Sequence, residues 1–143
     1  MKGAVLAIDH GTKRTGFAVV DALRIASHAL DPYHGPGDGN ELLDHIARML
    51  GERDVRMFLL GLPVNMDGTE GPRAAEVRAF AARLAQRFPR IPVRMWNETL
   101  TTKAAEELLR ESGHRGKDAR ARRDSWSALV LLRDWIESGE PGA

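Results

Sequence analysis

The sequence predicts an α/β domain built on a mixed five-stranded sheet with helices on both faces. Short apolar segments at Ala4–Ile8, Met57–Leu60 and Ile91–Trp96 are typical of buried strands. Between and after these strands, apolar residues recur at helical spacing. The 143 residues fit one domain with one hydrophobic core, which we place at residues 1–137, followed by a tail at 138–143 that we expect to fray.

The first three strands are expected to be antiparallel because they follow one another closely along the chain. The strand Ala4–Ile8 ends at Asp9 and leads into a polar turn that contains two glycines. Phe17–Val20 is predicted as a second strand, and Arg24–Leu30 is expected to supply a third. The stretch from 31 to 40 holds two prolines and three glycines and is therefore predicted to be a loop.

The last two strands each follow a predicted helix and are therefore expected to run parallel to the first strand. Apolar residues at helical spacing predict one helix at Glu41–Leu50, before the strand Met57–Leu60. A second predicted helix, Glu70–Arg87, precedes the strand Ile91–Trp96, and Thr69 is a candidate cap for it. These two crossovers complete the mixed sheet.

The C-terminal part is predicted to contain two helices joined by a basic loop. Thr101 or Thr102 is a candidate cap for the first helix, and the second is expected to start near Asp124. The segment from 113 to 122 is rich in glycine and basic residues, so we expect a mobile loop there. Five basic side chains fall within nine residues of this region: Arg115, Lys117, Arg120, Arg122 and Arg123.

The composition excludes several kinds of site and favours hard metal ions. The chain has no cysteine, which excludes disulfides, thiol catalysis and thiolate zinc sites. The remaining metal ligands are mostly oxygens, which suit magnesium or manganese. No apolar run is long enough for a membrane span or a secretory signal, so a cytoplasmic protein is expected. The net charge of +1 does not by itself indicate nucleic-acid binding, whereas the local basic segment is compatible with a polyanionic partner.

Three carboxylates stand at positions where an α/β protein builds a site. Asp9 directly follows one buried strand, Glu98 comes two residues after another, and Asp124 lies at the predicted start of the last helix. Ligands gather at the carboxyl ends of parallel strands, where Asp9 and Glu98 would meet. Clustered carboxylates repel each other unless cations hold them, and two divalent ions could activate water for phosphodiester cleavage. Taken alone, each carboxylate is more often a solvated charge, and Asp124 could be an N-cap worth about 1 kcal/mol.

Four motifs along the chain together resemble one known family. They are Ala7–Val19 (AIDHGTKRTGFAV), Gly61–Thr69 (GLPVNMDGT), Trp96–Thr102 (WNETLTT) and Asp124–Ala128 (DSWSA). In this order, and over nearly the whole chain, they are similar to the motifs of the YqgF/RuvX family. His10 stands where many members have an apolar or aromatic residue, and Ser127 replaces a frequent alanine, which cautions against assuming the same substrate.

The resemblance implies a ribonuclease H-like fold and a metal-dependent nuclease. It implies that Asp9, Glu98 and Asp124 are catalytic residues that bind magnesium or manganese, with two ions expected. Members of the family have two assigned roles, which are resolving four-way DNA (Holliday) junctions and maturing the 5′ end of pre-16S rRNA. We take the DNA junction as the first expectation and the rRNA precursor as the alternative. Two symmetric cuts in a junction would require a homodimer.

Polar and basic residues near these motifs are candidates for holding the nucleic acid. They are Thr12, Lys13, Arg14, Asn65, Arg115, Lys117, Arg120, Arg122 and Arg123. Contacts of this kind set affinity and orientation and read little sequence, which suits an enzyme that selects its substrate by shape. Each has a simpler interpretation: the glycine turn forms only a hairpin, Asn65 shapes only its own turn, and the basic segment is a solvated loop.

Two other classes of protein remain as alternatives. A phosphotransferase of the sugar kinase and actin superfamily has a related fold and a similar first phosphate loop, but it needs a second lobe for which 143 residues leave no room. A non-catalytic nucleic-acid binding module would keep the basic segment and make the three carboxylates dispensable. Stabilisation by manganese would distinguish a carboxylate metal site from such a module.

Overall fold

The chain folds around one sheet in which antiparallel and parallel pairs are combined. The computed structural model describes residues 3–98 and 117–142, and of residues 117–124 it describes the backbone alone. In chain order the elements are β1 (Ala4–Asp9), β2 (Arg14–Val20), β3 (Ser27–His34), α1 (Asn40–Glu52), β4 (Val55–Leu62), α2 (Pro72–Arg87), β5 (Val93–Asn97) and α3 (Lys117–Glu137). The strand order is β3-β2-β1-β4-β5. The pairs β1–β2 and β2–β3 are antiparallel and the pairs β1–β4 and β4–β5 are parallel, as the sequence predicts.

Alternating side chains of the strands build one apolar layer on each face of the sheet. Leu6 and Ile8 of β1 belong to the layer that α1 and α2 cover, whereas Val5 and Ala7 belong to the layer that α3 covers. Helices therefore lie on both faces, and the predicted fold class is confirmed. Within the part of the chain that the structure describes, no helix has the length and apolar character needed to cross a membrane.

The three parallel strands end at one edge of the sheet, and this edge is where the site lies. The register pairs Ile8 with Leu60 and Leu60 with Met95, so the carboxyl ends of β1, β4 and β5 lie side by side. Asp9 is the last residue of β1, and Glu98 directly follows β5. The expectation that Asp9 and Glu98 share one end of the sheet is therefore confirmed for the backbone.

The strand β3 extends further than the sequence predicts. It ends at His34, so the predicted loop from 31 to 40 is wrong in its first part. Pro32 is tolerated inside the strand because β3 is the edge of the sheet and has an open side that needs no backbone donor. The β2–β3 register shifts between Thr15 and Phe17, opposite this proline.

The helix α3 starts earlier than the sequence predicts. It begins at Lys117, seven residues before Asp124, so the predicted mobile loop is wrong for residues 117–122. Alanine, arginine and lysine in this segment favour a helix even though they leave it without an apolar face. The alternative in which Asp124 is only an N-cap is therefore excluded, because the residue lies inside the helix.

The start of α2 also differs from the prediction. Its N-cap is Gly71, with no capping bond from a side chain, so Thr69 is not its cap. The first helical residue is Pro72, which needs no hydrogen-bond acceptor at that position. The helix predicted near Thr101 or Thr102 lies outside the described residues.

The tail, which the sequence predicts to fray, is in contact with the rest of the molecule. The Glu140 carboxylate pairs with the Arg24 guanidinium at 3.1 Å, and both side chains are more than four-fifths buried, with 17 % and 13 % exposed. The backbone oxygen of Gly142 accepts a hydrogen bond from Arg94 Nε at 2.6 Å. These contacts dock residues 138–142 against the sheet.

Ser125 anchors α3 to β2. Its Oγ accepts a 3.1 Å hydrogen bond from the backbone N–H of Phe17, and both residues are buried. In Ser125→Ala the buried N–H has no acceptor, so we expect the free energy of unfolding to fall by about 1–3 kcal/mol. Urea unfolding beside Ser138→Ala, whose hydroxyl bonds an exposed carbonyl, measures the difference. Equal stability of the two variants would contradict the anchoring role.

Candidate active site

Asp9 and Glu98 meet at the carboxyl edge of the sheet. The backbone N–H of Glu98 donates to the oxygen of Leu62 at 3.2 Å, which continues the β4–β5 pairing by one residue. The Glu98 carboxyl group is hydrogen-bonded to that of Asp9. Two of the three carboxylates predicted from the sequence are therefore adjacent.

Gly61 provides the space that the Glu98 side chain occupies. A Cβ atom at position 61 would overlap Glu98 Oε2 and would lie 3.2 Å from Leu131 Cδ2 of α3. Gly61 is buried in β4, so the Glu98 carboxyl group lies directly against the backbone of the sheet. In the sequence, Gly61 stands out only as the first residue of the Gly61–Thr69 motif, although a glycine inside a buried strand often marks a close approach of another group.

Burial raises the pKa of Glu98, because desolvation disfavours its charged form. The hydrogen bond with Asp9 and the nearby positive charge of Arg73 act in the opposite direction and are weaker. The two carboxyl groups would repel each other if both were ionised. A cation at the same place would neutralise both groups.

Asp124, the third predicted carboxylate, lies in α3, and its side chain is outside the described residues. Its neighbour Ser125 is bonded to Phe17, which pairs with Ile8, the residue before Asp9. The backbone of residue 124 is thereby placed beside the carboxyl end of β1. Among the side chains that the structure describes, no three histidine, aspartate or glutamate residues are close enough to hold a metal ion.

A cavity with several cationic side chains opens beside Asp9, and we name it the basic cavity. It has a volume of about 300 Å³ and is lined by Asp9, His10, Gly11, Thr12, Lys13, Arg14, Gly16 and Arg73. Three cationic side chains outweigh one carboxylate there, so the cavity favours an anion. The structure therefore brings the predicted nucleic-acid contacts Thr12, Lys13 and Arg14 to the predicted catalytic Asp9.

Arg73 is a site residue that the sequence analysis misses. Its Nη2 donates to the backbone oxygen of His10 at 2.6 Å, and its Nη1 is paired with Glu76 one turn further along α2. These bonds hold the guanidinium at the wall of the basic cavity, where its charge reaches Glu98. The only signal in the sequence that could have identified Arg73 as a site residue is its position just after the Gly61–Thr69 motif.

His10 is a buried residue that forms part of the cavity wall. Its Nε2–H donates to the oxygen of Gly37 at 2.9 Å, and its ring stacks on Phe80 with 4.4 Å between the centroids. Burial lowers the pKa of His10, so the imidazole is neutral at pH 7. Its Nδ1 is shielded from solvent and has no hydrogen-bond partner among the described residues.

A second cavity, which we name the Phe80 cavity, adjoins the basic cavity. It has a volume of about 400 Å³ and is lined by His10, Thr12, Gly37, Asp38, Glu76, Ala79, Phe80 and Arg83. The loop after β3 is fixed to the turn after β1 by two backbone hydrogen bonds, from Gly37 to Thr12 at 3.0 Å and from Gly35 to Lys13 at 2.9 Å. The turn after β1 and α2 line both cavities, whereas the loop after β3 lines only the Phe80 cavity.

Asn65 and Asp67 shape their own loop. Asn65 Nδ2 donates to Thr69 Oγ1 at 3.0 Å, and this hydroxyl donates to Asp67 at 2.6 Å. Hydrogen bonds from Thr69 also lower the pKa of Asp67. Neither Asn65 nor Asp67 lines the basic cavity or the Phe80 cavity, so the geometry favours a turn-forming role for both.

The predicted basic segment lies mostly in α3. The backbones of Lys117, Arg120, Arg122 and Arg123 are helical, whereas their side chains and the whole of Arg115 lie outside the described residues. Positions 117, 120 and 124 share one face of the helix by their spacing. Two basic positions therefore lie on the same face as Asp124.

Comparison with known proteins yields one family and a large set of relatives. A family model described as "RuvX: Holliday junction resolvase" matches residues 3–138. A "Putative pre-16S rRNA nuclease" of Saccharophagus degradans is 37% identical over 137 residues, which cover 96% of this chain and 95% of the relative. A protein of the same name from Rhodobacter capsulatus is 43% identical over 110 residues, which cover 77% of this chain and 68% of the relative.

Two solved structures share the fold over nearly the whole chain. RuvC of Thermus thermophilus in complex with a Holliday junction substrate gives a TM-score of 0.56 at 16% identity, covering 96% of this chain and 97% of that one. The resolvase of fowlpox virus in complex with Holliday junction DNA gives a TM-score of 0.59 at 14% identity, covering 94% and 97%. At these identities the likeness concerns the fold alone.

Proposed function

Because this chain belongs to the RuvX family of nucleases and has the ribonuclease H-like fold, we propose that it is a divalent-metal-dependent endonuclease that cuts structured nucleic acid. The observation that carries the proposal is the contact between Asp9 and Glu98 beside a basic cavity. A purely structural role would not explain why two carboxyl groups lie against each other, because they repel when both are ionised. Paired carboxylates next to a cationic wall suit a site that binds a cation and a phosphate together.

The residues present fit magnesium or manganese. Asp9 and Glu98 offer hard oxygen ligands, and positive charge is favoured where two carboxyl groups lie side by side. We assign Asp9, Glu98 and Asp124 as the ligands of two ions, with Asp124 supported by the position of its backbone near the end of β1. When bound, such ions supply an activated water and stabilise the charge on the phosphate and the leaving oxygen.

The basic cavity binds and orients the phosphate that is cut. Lys13, Arg14 and Arg73 provide positive charge beside Asp9, and Thr12 provides a hydroxyl. Arg73 is held by the backbone of His10, so part of its guanidinium is oriented before the substrate arrives. The basic residues Lys117 and Arg120 of α3 are further candidate contacts to the nucleic-acid backbone.

Replacing Arg73 with lysine is expected to weaken nucleic-acid binding about tenfold without changing its salt dependence. Lysine keeps the charge but cannot hold both the His10 oxygen and a phosphate in one planar arrangement. Fluorescence anisotropy at several salt concentrations, in chelator, measures both quantities. The matched control is Arg78→Lys, since Arg78 lies on the same helix and is exposed and paired with Glu70. If the two lysine variants bind equally well, Arg73 is not a phosphate contact.

The substrate that we propose first is the precursor of 16S rRNA. The relatives named as pre-16S rRNA nucleases match this chain over most of both lengths at 37–43% identity. Cleavage of single phosphodiesters in a folded RNA requires only one copy of the site. This proposal reverses the order expected from the motifs, in which the DNA junction stood first.

A four-way DNA junction is the second candidate. The family model describes its members as Holliday junction resolvases, and two solved resolvases have the same fold. Resolution needs two symmetric cuts and therefore two copies of the site, so it predicts a homodimer in solution.

Cleavage assays with wild type and Glu98→Gln test the function. The labelled substrates are a pre-16S rRNA fragment, a four-way DNA junction and a plain duplex, each in manganese, magnesium or chelator. We expect cuts in the rRNA fragment that need both metal and Glu98. Symmetric cuts in the junction alone would establish the second candidate, and the absence of metal-dependent cutting in all three would leave a non-catalytic binding module.

A further inference from the structure

The Phe80 cavity has no part in the cleavage described so far, although it adjoins the site. We propose that it holds an unpaired nucleobase of the substrate strand while the phosphate of the same nucleotide lies in the basic cavity. This inference rests on the proposed function, because it identifies part of what that site recognises. It implies that the enzyme cuts next to an unpaired base, within a loop, a single strand or a branch.

The two cavities are adjacent, as they must be if the base and the phosphate of one nucleotide occupy them. They share His10 and Thr12 as lining residues, so the two cavities lie next to each other. A volume of about 400 Å³ lies in the range of pockets that take small organic groups, and a nucleobase is such a group.

The charged side chains that line the two cavities differ, so that one cavity suits a phosphate and the other suits a base. Two carboxylates, Asp38 and Glu76, line the Phe80 cavity. The one cation in its lining, Arg83, is bonded to the backbone oxygen of Asp38 and to Asn40 Oδ1. The basic cavity, which Lys13 lines, therefore attracts a phosphate more strongly than the Phe80 cavity does.

Acidic walls select a ligand that offers N–H donors. A carboxylate accepts two parallel hydrogen bonds, and the N1–H and N2–H groups of guanine present two adjacent donors. The Asp38 carboxylate is exposed at this wall, whereas that of Glu76 is paired with Arg73. Asp38 is accordingly the residue that we assign to the donor edge of the base.

The remaining walls suit a flat aromatic ring. His10 and Phe80 form a stacked pair, and Ala79 adds an apolar surface on the same side of α2. Single-stranded nucleic acids are commonly held by stacking of their bases on such side chains. The cavity is also preformed, because a Cβ atom at Gly37 would overlap the oxygen of Gly11, which shows how closely the two loops are packed.

Two tryptophan variants test whether binding of the base depends on the Phe80 cavity or on another part of the protein. Ala79→Trp fills the cavity without changing charge, and Ala82→Trp is the matched control, since it is exposed on the same helix and lines neither cavity. Asp38→Asn removes the acidic acceptor and keeps the volume of the side chain. All three positions are exposed, so each variant should fold.

The test is amide NMR of the full chain in chelator with guanosine 5′-monophosphate or ribose 5-phosphate. We expect both ligands to shift the amides of Gly11 and Gly16, and only the nucleotide to shift those of Gly37 and Ala79. Ala79→Trp should abolish the nucleotide-specific shift at Gly37, Asp38→Asn should weaken it about tenfold, and Ala82→Trp should leave it unchanged.

The proposal is overturned if both ligands give the same shifts, if neither moves Gly37, or if Ala79→Trp behaves like its control. None of these measurements requires cleavage. A failure here therefore leaves the nuclease proposal intact, and a failure to cut any substrate leaves the base-binding result interpretable.

Discussion

Asp9→Asn is expected to lower the rate of cleavage by about a thousandfold or more while nucleic-acid binding is retained. The substitution keeps the shape of the side chain and removes the charge that faces both Glu98 and the basic cavity. Lys13, Arg14 and Arg73 remain in place, so the phosphate is still bound. Single-turnover cleavage and anisotropy on the same labelled RNA measure the two effects separately.

Asp54→Asn is the matched control for this variant. Asp54 directly precedes β4 at the opposite end of the parallel strands, and its exposed carboxylate pairs with Arg56 at 2.8 Å. It undergoes the same chemical change without approaching the site. Cleavage by Asp9→Asn at the rate of Asp54→Asn would remove Asp9 from the catalytic machinery.

The role of Asp9 can also be tested without a substrate, by measuring how metal binding changes the melting temperature. An ion that binds the folded state alone stabilises it by about 2.7 kcal/mol at a hundredfold excess over its Kd. We expect manganese to raise the melting temperature of wild type and of Asp54→Asn, and to have little effect on Asp9→Asn. A manganese shift that survives in Asp9→Asn would place the ion elsewhere.

The meeting of Asp9 and Glu98 could be predicted from the sequence because topology alone decides it. Two strands that each follow a crossover run parallel to the first, and their carboxyl ends then share an edge whatever their side chains are. The prediction needed only the order of elements and the positions of the polar residues that end them. It required no knowledge of loop conformation.

Residues that act through contacts between distant segments could not be predicted in this way. Arg73 belongs to the site because its guanidinium reaches the backbone oxygen of His10, sixty-three residues earlier in the chain. The pairing of His10 with Gly37 likewise depends on how the loop after β3 folds back. Neither contact leaves a periodic pattern, since loop geometry is set by packing and not by local propensity.

The boundaries that were predicted wrongly have a related cause. Apolar spacing locates only the part of a helix that faces the core, and in the sequence of α3 this spacing starts at Trp126. The preceding segment from Lys117 to Asp124 contains only charged residues and two alanines, so its sequence has no apolar periodicity to detect. In β3, Pro32 indicates a loop in general, but an edge strand tolerates it.

Gly61→Ala is expected to reduce cleavage about a hundredfold with little change in stability. The added methyl group overlaps Glu98 Oε2, the far end of a flexible side chain, so the carboxyl group can move and the strand need not. Loss of a glycine also reduces the conformational freedom of the unfolded chain, which favours folding by about 0.4–1 kcal/mol. The chain should therefore fold normally and hold Glu98 in the wrong place.

Gly51→Ala provides the comparison that isolates this effect. Gly51 lies near the end of α1, and a Cβ atom there meets nothing within 4 Å. Both variants gain one methyl group and lose one glycine, so thermal unfolding should rank them together and cleavage should separate them. If Gly61→Ala instead cuts as well as Gly51→Ala, the position of the Glu98 carboxyl group against β4 is not what the reaction requires. If Gly61→Ala unfolds, the methyl group has displaced the backbone of β4 and not the Glu98 side chain. The space at Gly61 would then be required for folding and not for the position of Glu98.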